Sequence, residues 1–456
     1  MSPDLAERLR RHLERSGLFP EPGLALLAVS GGGDSVALAF LLADLAPELD
    51  LDLAVGHVDH GIQRGSADVA REVERLAGRL GLPFHLERLR LGAGTSETEA
   101  RRARYRALRD MQRGIDARYL VTAHHADDQV ETVLHRFLKG TGLAGLAGIP
   151  ARGPRGLVRP LLPFGRRELA RWLERRTAAQ GEVVRVHDDP ANADQRHDRS
   201  WLRARLLPFV ADRYGAAARE AVLDVGRHAA RDRAAWAALL TTLDDLEYRR
   251  RGAVVELARH PLATYDKTLC EAILRAAARE VGCVVGPRRA HRLRRFLTEG
   301  TSGRVLQLGR GWEAELAFDR MRILPAAQDE TVREPVHLGA AAEGCARWGE
   351  WDVVWTAERA GSVERQSFTT WVTPGVVAVR TPRGRDRMHP VGGVGGRKVR
   401  RLLMEARVPF RERARYPVLV RDRDVLWLPG ICRSQAALPR PGEPAMRIEA
   451  RVRERK

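Results

Sequence analysis

The sequence predicts an α/β protein with a doubly wound parallel sheet, followed by a mainly helical middle domain and a small α+β C-terminal domain. Three observations lead there. Short apolar runs alternate with helix-period segments over the first 210 residues. Helical patterns dominate from about 211 to 325, and short strand patterns return around one helix towards the end. The expected domains are 1–210, 211–330 and 351–456, with the Ala-, Gly- and Glu-rich stretch 326–350 as a linker.

In chain order, "LALLAVS" (24–30) is a continuous apolar run that reads as a buried strand, and "SVALAFLLADLA" as the helix after it. "LDLAVGHVD" (51–59) is a second strand, followed by helix "SADVAREVERLAGRL" and the strand-like "PFHLERLRL". The basic helix "TEARRARYRALRDMQRG" leads into strand "RYLVTAH" (118–124) and helix "ADDQVETVLHRFLKG". This β-α-β-α order implies parallel strands covered on both faces, where ligands bind beyond the carboxyl ends of the strands. Further on, "AAREAVLDVGRHAARDRAAWAALLTTLDDLEYRRR" reads as one or two long helices, then "CEAILRAAAREVG" and "PRRAHRLRRFLTEG", with a short β section at "SGRVLQLGRGWEAELAFDRMRIL". The last module shows strands "FTTWVTP", "VVAVRTP", "YPVLVRD" and "DVLWLPG" around helix "GRKVRRLLMEARV".

Composition narrows the function classes. Lys+Arg number 78 against 59 Asp+Glu, a formal charge of +19, so a polyanion such as nucleic acid is the expected partner rather than a merely solvated surface. The four cysteines, Cys270, Cys283, Cys345 and Cys432, are scattered without a CxxC pair, which argues against a zinc ribbon, an iron–sulfur cluster or a disulfide framework. The first twenty residues read as a charged amphipathic helix rather than a signal peptide, and no apolar run approaches a membrane span, so a cytoplasmic location is expected.

The chemistry concentrates in "SGGGDS" (30–35). A Gly-rich turn from strand into helix aims backbone N–H groups and the positive helix end at an anion. Gly31, Gly32 and Gly33 permit close backbone approach, and Ser30 and Ser35 add hydroxyl donors. A Walker loop would carry lysine, which is absent. Asp34 among phosphate-binding groups would be repelled unless a divalent cation lay between, so the loop suits a pyrophosphate with Mg²⁺. The plainer reading makes Asp34 or Ser35 a helix cap.

"SGGGDS" resembles the SGGxDS signature of the ATP-pyrophosphatase (PP-loop) superfamily, whose fold is adenine nucleotide α-hydrolase-like. Alongside it, "HVDHGIQRGSADVA" (57–70), "EARRARY" (99–105), "TAHHADDQVETVLHRFLKGTGLAGLAGI" (122–149), "VRPLLPF" (158–164) and "DDPANADQRHDRSWLRARLLP" (188–208) look like the tRNA(Ile)-lysidine synthetase family. The resemblance spans most of 20–210 and continues more loosely through "GRDRMHPVGGVGGRKVRRLLMEARVPFRERARYPVLV". Gly33 departs from the family's larger apolar residue, and Ser200 replaces the Asn of an R-N-x-[IL]-R stretch.

The resemblance implies ATP as substrate, Mg²⁺ held by Asp34, and an ATP site of Ser30, Gly31, Gly32, Gly33, Asp34, Ser35 and His57. From the residues alone, His57 at a strand end reads equally as a ligand contact or as a merely hydrogen-bonded core histidine. His124, Asp127 or Asp128, and Glu131 fall three or four residues apart at a helix start, so they can converge on one spot. The second substrate implied is L-lysine, with Asp128 and Glu131 as its recognition pair, and a carboxylate or His124 is the candidate proton acceptor. Arg104 is the motif position for steadying phosphate charge as AMP leaves, so the catalytic candidates are Asp34, Arg104, Asp128 and Glu131. Asp189 and Asn192 lie in a turn, with Arg203 and Arg205 as a basic edge towards RNA. Between Arg380 and Arg415, twelve Arg or Lys residues face three acids around a glycine-rich turn, and Arg387, Arg397 and Lys398 are the expected tRNA contacts there. Arg288, Arg289, Arg292, Arg294 and Arg295 would add to that grip.

The expected activity is ATP-dependent adenylation of C2 of the wobble cytidine in the CAU anticodon of tRNA(Ile), then displacement of AMP by lysine. Composition and spacing alone indicate an ATP-using, RNA-binding enzyme; the lysine and the tRNA come from the resemblance. A tRNA thiolase of the same superfamily is disfavoured because the first cysteine is Cys270, and a non-catalytic RNA-binding protein by the intact acidic residues. Oligomeric state stays open, a homodimer included.

Overall fold

The computed structural model describes residues 4–61, 66–89, 91, 95–181, 183–187, 198–326, 334–339, 341–362 and 367–453. The chain divides into two compact units, 1–234 and 235–456. Among the described residues no helix is long and apolar enough to cross a membrane.

The first unit opens with α1 (Leu5–Ser16), β1 (Gly23–Ala28), α2 (Gly33–Leu45), β2 (Leu51–Asp59), α3 (Ser66–Arg79) and β3 (Phe84–Arg88). It continues with α4 (Glu97–Gly114), β4 (Tyr119–Thr122), α5 (Ala126–Leu138), β5 (Arg152–Gly153), β6 (Leu157–Val158) and α6 (Arg166–Ala179). The strands order as β3-β2-β1-β4-β6-β5, all parallel except the β5–β6 pair. Helices α1, α2, α3 and α6 bury their apolar residues against one face, and α4 covers the other. Helix α2 is buried nearly all round, from Ser35 to Leu42, because it is sandwiched between the sheet and α6. Helix α4 starts on a capping box in which Ser96 and Glu99 satisfy each other's backbone N–H. The expected doubly wound sheet is therefore present, and β1 lies at its reversal point, with β2 on one side and β4 on the other.

Beyond the sheet, α7 (Asp198–Trp201), a π-helical turn Leu202–Leu206 and α8 (Leu207–Tyr214) run on, and α9 (Ala216–Thr242) ends in the second unit. That unit begins with β7 (Arg249–Arg251), β8 (Val254–Ala258), α10 (Arg259–Thr264), α11 (Lys267–Glu280), α12 (Pro287–Glu299), β9 (Val305–Gly309), β10 (Trp312–Ala317) and β11 (Arg320–Pro325). The stretch expected to be mainly helical thus contains a five-stranded antiparallel sheet, β7-β8-β11-β10-β9, under its helices. The long helix read into 243–251 ends at Thr242; a 3₁₀ turn at Asp244–Leu246 and strand β7 take its place.

The remainder comprises β12 (Val336–Leu338), β13 (Glu343–Trp348), β14 (Trp351–Arg359), β15 (Thr369–Val372), β16 (Val377–Arg380), β17 (Arg387–Met388) and β18 (Arg397–Lys398). Then come α13 (Val399–Glu405), α14 (Phe410–Arg413), β19 (Val418–Arg421), β20 (Asp424–Leu428), β21 (Cys432–Arg433) and β22 (Pro444–Val452). Two sheets, β12-β16-β19-β20-β21 and β13-β14-β22-β15, share a core of Trp348, Val353, Val379, Trp427 and Ile448. Strands β12 and β13 occupy the supposed linker, whose Ala and Gly content hid a register of alternating burial.

A buried ion network joins these parts of the second unit. Glu313 and Glu315 on β10 are both fully buried. Glu315 accepts from Arg322 Nη1 at 3.0 Å and from the Arg411 N–H at 3.1 Å, and Glu313 accepts from Arg411 Nη2 at 2.7 Å. Arg322 also binds Glu256 at 2.9 Å and pairs with Glu412 of α14. Removing one member of such a group leaves an uncompensated buried charge. Arg322→Ala is therefore expected to cost about 3–5 kcal/mol, read as an earlier urea transition of the second unit; a loss below about 1 kcal/mol would mean that water reaches Glu315.

Candidate active site

The loop after β1 is shaped by its own hydroxyls. Ser35 Oγ donates to the Gly32 carbonyl at 2.8 Å and accepts from the Ser30 N–H at 3.2 Å, and the two serine hydroxyls lie 3.2 Å apart. Gly31 has φ +87°, and a Cβ there would sit 2.7 Å from Val69 Cγ1, so only glycine fits. Gly32 is the extended N-cap of α2; the N–H groups of Gly33 and Asp34 begin the helix and lie outside its internal ladder. Ser35 is buried and Ser30 exposed, so the second serine braces the turn while the first faces outwards. The segment 183–187 meets this loop, its His187 N–H donating to the Gly31 carbonyl at 2.9 Å.

Across the reversal point, α5 begins with His125 as N-cap. The His125 N–H donates to Asp128 Oδ2 at 3.0 Å, and the Asp128 N–H approaches His125 Nδ1 at 3.4 Å, closing a reciprocal cap. His125 Nε2 then lies 3.3 Å from Asp34 Oδ2, so the β1 loop and the α5 start meet at this contact. Burial disfavours the charged ring, but the bond to Asp34 and the charges of Asp128, Asp34 and Asp127 outweigh it and raise the His125 pKa above its ordinary value. Arg166 stands 3.7 Å from the same Asp34 oxygen.

The adjacent acids have separate tasks. Asp127 accepts from the Arg166 N–H at 2.7 Å and from Arg219 Nε at 3.2 Å; these bonds overcome its desolvation and lower its pKa. Asp127 thus ties α5 to the start of α6 and to α9. Asp128 keeps Oδ1 outside the cap. Glu131, one of the expected lysine ligands, is buried, and Arg203 grips both its oxygens at 2.6 and 2.9 Å. Arg203 therefore lies inwards in the π-helical turn rather than on a basic RNA-facing edge, while Arg205 is exposed. An i, i+3 reading placed Glu131 with Asp128 but carried no signal for the guanidinium 72 residues on.

His57 is 4% exposed and its Nδ1 lies 2.8 Å from the Val29 carbonyl, a link between β2 and the end of β1; burial lowers its pKa. His124 turns away from Asp34. Its Nδ1 lies 2.9 Å from Thr122 Oγ1, and Arg101 Nη2 approaches Nε2 at 3.4 Å. Burial first, then the charges of Arg159, Arg101, Arg104 and His125, hold its pKa well below the ordinary value. Arg104, partly buried on α4, is thus one of a cationic group around His124, and its guanidinium lies over the Tyr105 ring at 5.8 Å. Arg109 of α4 holds the Arg155 and Pro154 carbonyls at 2.6 and 2.7 Å. Asp189 and Asn192 lie outside the described residues.

In the second unit, β17 and β18 pair Arg387 with Lys398, bringing Arg387, Arg397 and Lys398 onto one two-stranded ribbon. Arg387 and Lys398 are exposed, while Arg397 is bound by Glu405 at 2.5 and 2.6 Å. Val394, at the tip between the glycines, is fully exposed. On α12, Arg294 is drawn inwards to Glu271 at 3.1 Å and Arg295 pairs with Glu299, leaving Arg288, Arg289 and Arg292 as the outward cations.

Among the described residues no group of three or more His, Cys, Asp or Glu side chains could hold a metal by itself. Asp34 would fit a Mg²⁺ ion as its protein carboxylate, because that ion needs only one or two carboxylates beside a polyphosphate. The His125 contact carries its own test. Its raised pKa means that the protonated ring stabilises the fold, fully below 6.5 and decreasingly as the pH rises through the raised value. By NMR the His125 midpoint is expected above 6.5 and to fall in Asp34→Asn; a midpoint unmoved by that substitution would refute the pairing.

Residues 1–210 match the family model described as a PP-loop domain, and residues 377–450 the model described as the TilS substrate C-terminal domain. The tRNA(Ile)-lysidine synthase of Symbiobacterium thermophilum is 32% identical over 505 residues, covering 98% of this chain and 98% of the relative. That of Geobacter sulfurreducens is 31% identical over 488 residues, covering 99% and 97%. Among solved structures, the U34-tRNA thiolase NcsA from Methanococcus maripaludis, with its [4Fe-4S] cluster, is 18% identical with a TM-score of 0.41, over 50% of this chain and 77% of that one. With 31–32% identity to the two synthases over nearly the whole chain, and with matches to both family models, the chain belongs to the tRNA(Ile)-lysidine synthase family.

Proposed function

We propose that this chain is an ATP-dependent ligase that converts the wobble cytidine of the CAU-anticodon tRNA(Ile) to lysidine. The observation that carries the reading is the Asp34–His125 contact at 3.3 Å, which brings a phosphate loop and an acidic helix start together at the sheet's reversal point. A nucleotide polyphosphate fits the β1 loop, where Ser30, the backbone N–H groups and the α2 start offer donors to anionic oxygens. Asp34 is the loop carboxylate that would hold a Mg²⁺ ion, and the ion would supply neutralisation of phosphate charge. His125 and Arg166 hold that carboxylate in place beforehand.

The chemistry proceeds in two displacements. The cytidine C2 oxygen attacks the α-phosphorus of ATP, forming a C–O–P link and expelling pyrophosphate. The amine of lysine then attacks C2, the C2–O bond breaks, and AMP leaves with the oxygen and its electron pair. The amine gives up a proton as its C–N bond forms. Activation matters because an unmodified carbonyl oxygen is a very poor leaving group. Asp128, whose Oδ1 lies outside the cap, is the carboxylate for an amine of lysine; Glu131 supports the site by holding Arg203. Arg104 supplies positive charge near developing phosphate charge. Arg387, Lys398 and the exposed arginines of α12 suit phosphate-backbone contacts, which position RNA without reading bases. A thiolase chemistry that uses a protein thiol lacks one in the catalytic unit: the chain's cysteines start at Cys270, and Cys270, Cys283 and Cys432 have their pKa values pushed up to about 11.

The test is incorporation of labelled lysine into unmodified tRNA with ATP. Label is expected in CAU-anticodon tRNA(Ile) alone, with AMP and pyrophosphate released in equal amounts. AMP release with sulfide and no lysine uptake would overturn the reading. Asp128→Asn keeps the cap oxygen but loses the charge, and is expected to lower kcat/KM for lysine about 100-fold with the KM for ATP unchanged.

A further inference from the structure

A second cluster lies beside the acidic one and is opposite in sign. Arg159 follows β6, the strand next to β4, so it stands at the same carboxyl end of the sheet as the site. It is 7% exposed; Nη1 donates to the Pro150 carbonyl at 2.7 Å, and its buried Nε has no hydrogen-bond partner. Among the described residues it has no carboxylate within ion-pair distance. Arg101 on α4 has none either: it reaches His124 Nε2 at 3.4 Å and lies over the Tyr105 ring at 5.3 Å. His124 is kept neutral by its burial and by the charges of both cations. A guanidinium N–H buried without an acceptor is costly and is satisfied when an anion enters.

We propose that Arg159 and Arg101, with His124 beside Arg101, form the subsite for the carboxylate of the amino-acid substrate. The inference rests on the lysine reading above and adds to it: a zwitterion needs both signs, and the cations Arg101 and Arg159 act at His124, four residues before the Asp128 carboxylate. Arg159 is too deeply buried for an RNA backbone phosphate, which is met by exposed side chains. It stands two strands from the β1 loop, about 10 Å away at the usual strand spacing, and the nucleotide phosphates have that loop's own donors. A planar guanidinium matches a carboxylate with two parallel bonds, whereas an ammonium does not.

The experiment compares L-lysine with L-lysinamide, which keeps both amines and loses the carboxylate, in full-length enzyme with ATP and CAU-anticodon tRNA. The wild type is expected to favour lysine by about 10- to 100-fold in kcat/KM. Arg101→Gln, at an exposed position, and Arg159→Lys should each bring that ratio towards one through the KM for lysine, with the KM for ATP unchanged. A structural role for Arg159 would instead depress both amines equally and lower the thermal transition. A ratio near one in the wild type, or a ratio untouched in both variants while the KM for tRNA rises, overturns the subsite. No lysine uptake by the wild type with either amine would instead be a failure of the lysidine reading, and the subsite would fall with it.

Discussion

Strand β1 pairs in parallel with β2 on one side and with β4 on the other, and this double pairing governs everything that follows. The chain leaving β1 and the chain leaving β4 must turn in opposite directions around the sheet, and the crevice between them cannot be filled by either crossover. Each exit runs straight into a helix, so two helix starts face one space. Their orphan N–H groups make it a place for anions, and the side chains at the two caps decide what chemistry it holds. The buried α2 matters for the same reason: a helix packed on nearly every side gives the phosphate loop a fixed base.

Two neighbouring histidines show how finely that space is divided. His125 faces Asp34, Asp127 and Asp128 and is raised towards the imidazolium, whereas His124 faces Arg159, Arg101 and Arg104 and stays neutral. The backbone between them separates an acidic half-site from a basic one. An amino acid carries both signs and a nucleotide carries one, so a site of two halves suits a reaction that must seat both. The pairing of Glu131 with Arg203 places a third element, the π-helical turn of Leu202–Leu206, against α5. Such turns redirect side chains within an otherwise continuous helix, here turning Arg203 inwards.

Much of the first unit was legible because its signals are local. The β2 strand and the starts of α3 and α5 follow from apolar runs and helix-period patterns, all within a few residues of one another. What escaped was long-range or masked by composition. The guanidinium that holds Glu131 is far away in sequence, and Asp127 differs from Asp128 only by where Arg166 and Arg219 arrive. The importance of His125 over His124 depends on which ring reaches Asp34, a matter of one residue's rotation about the helix start. In the second unit, β7 is three arginines and β14 and β22 carry many charges, so their alternation is weak; their partners, not their propensities, make them strands. The basic ribbon of β17 and β18 was visible as charge, but its pairing was not.

The central claim is that a nucleotide on the β1 loop directs its α-phosphorus at a base held across the crevice, before any amine takes part. Exchange of labelled pyrophosphate into ATP measures that step alone. With CAU-anticodon tRNA(Ile) present and lysine absent, exchange should occur, and it should vanish when the tRNA is omitted or Asp34 is replaced by Asn. Exchange that proceeds equally well without RNA, or that requires lysine, would contradict the account.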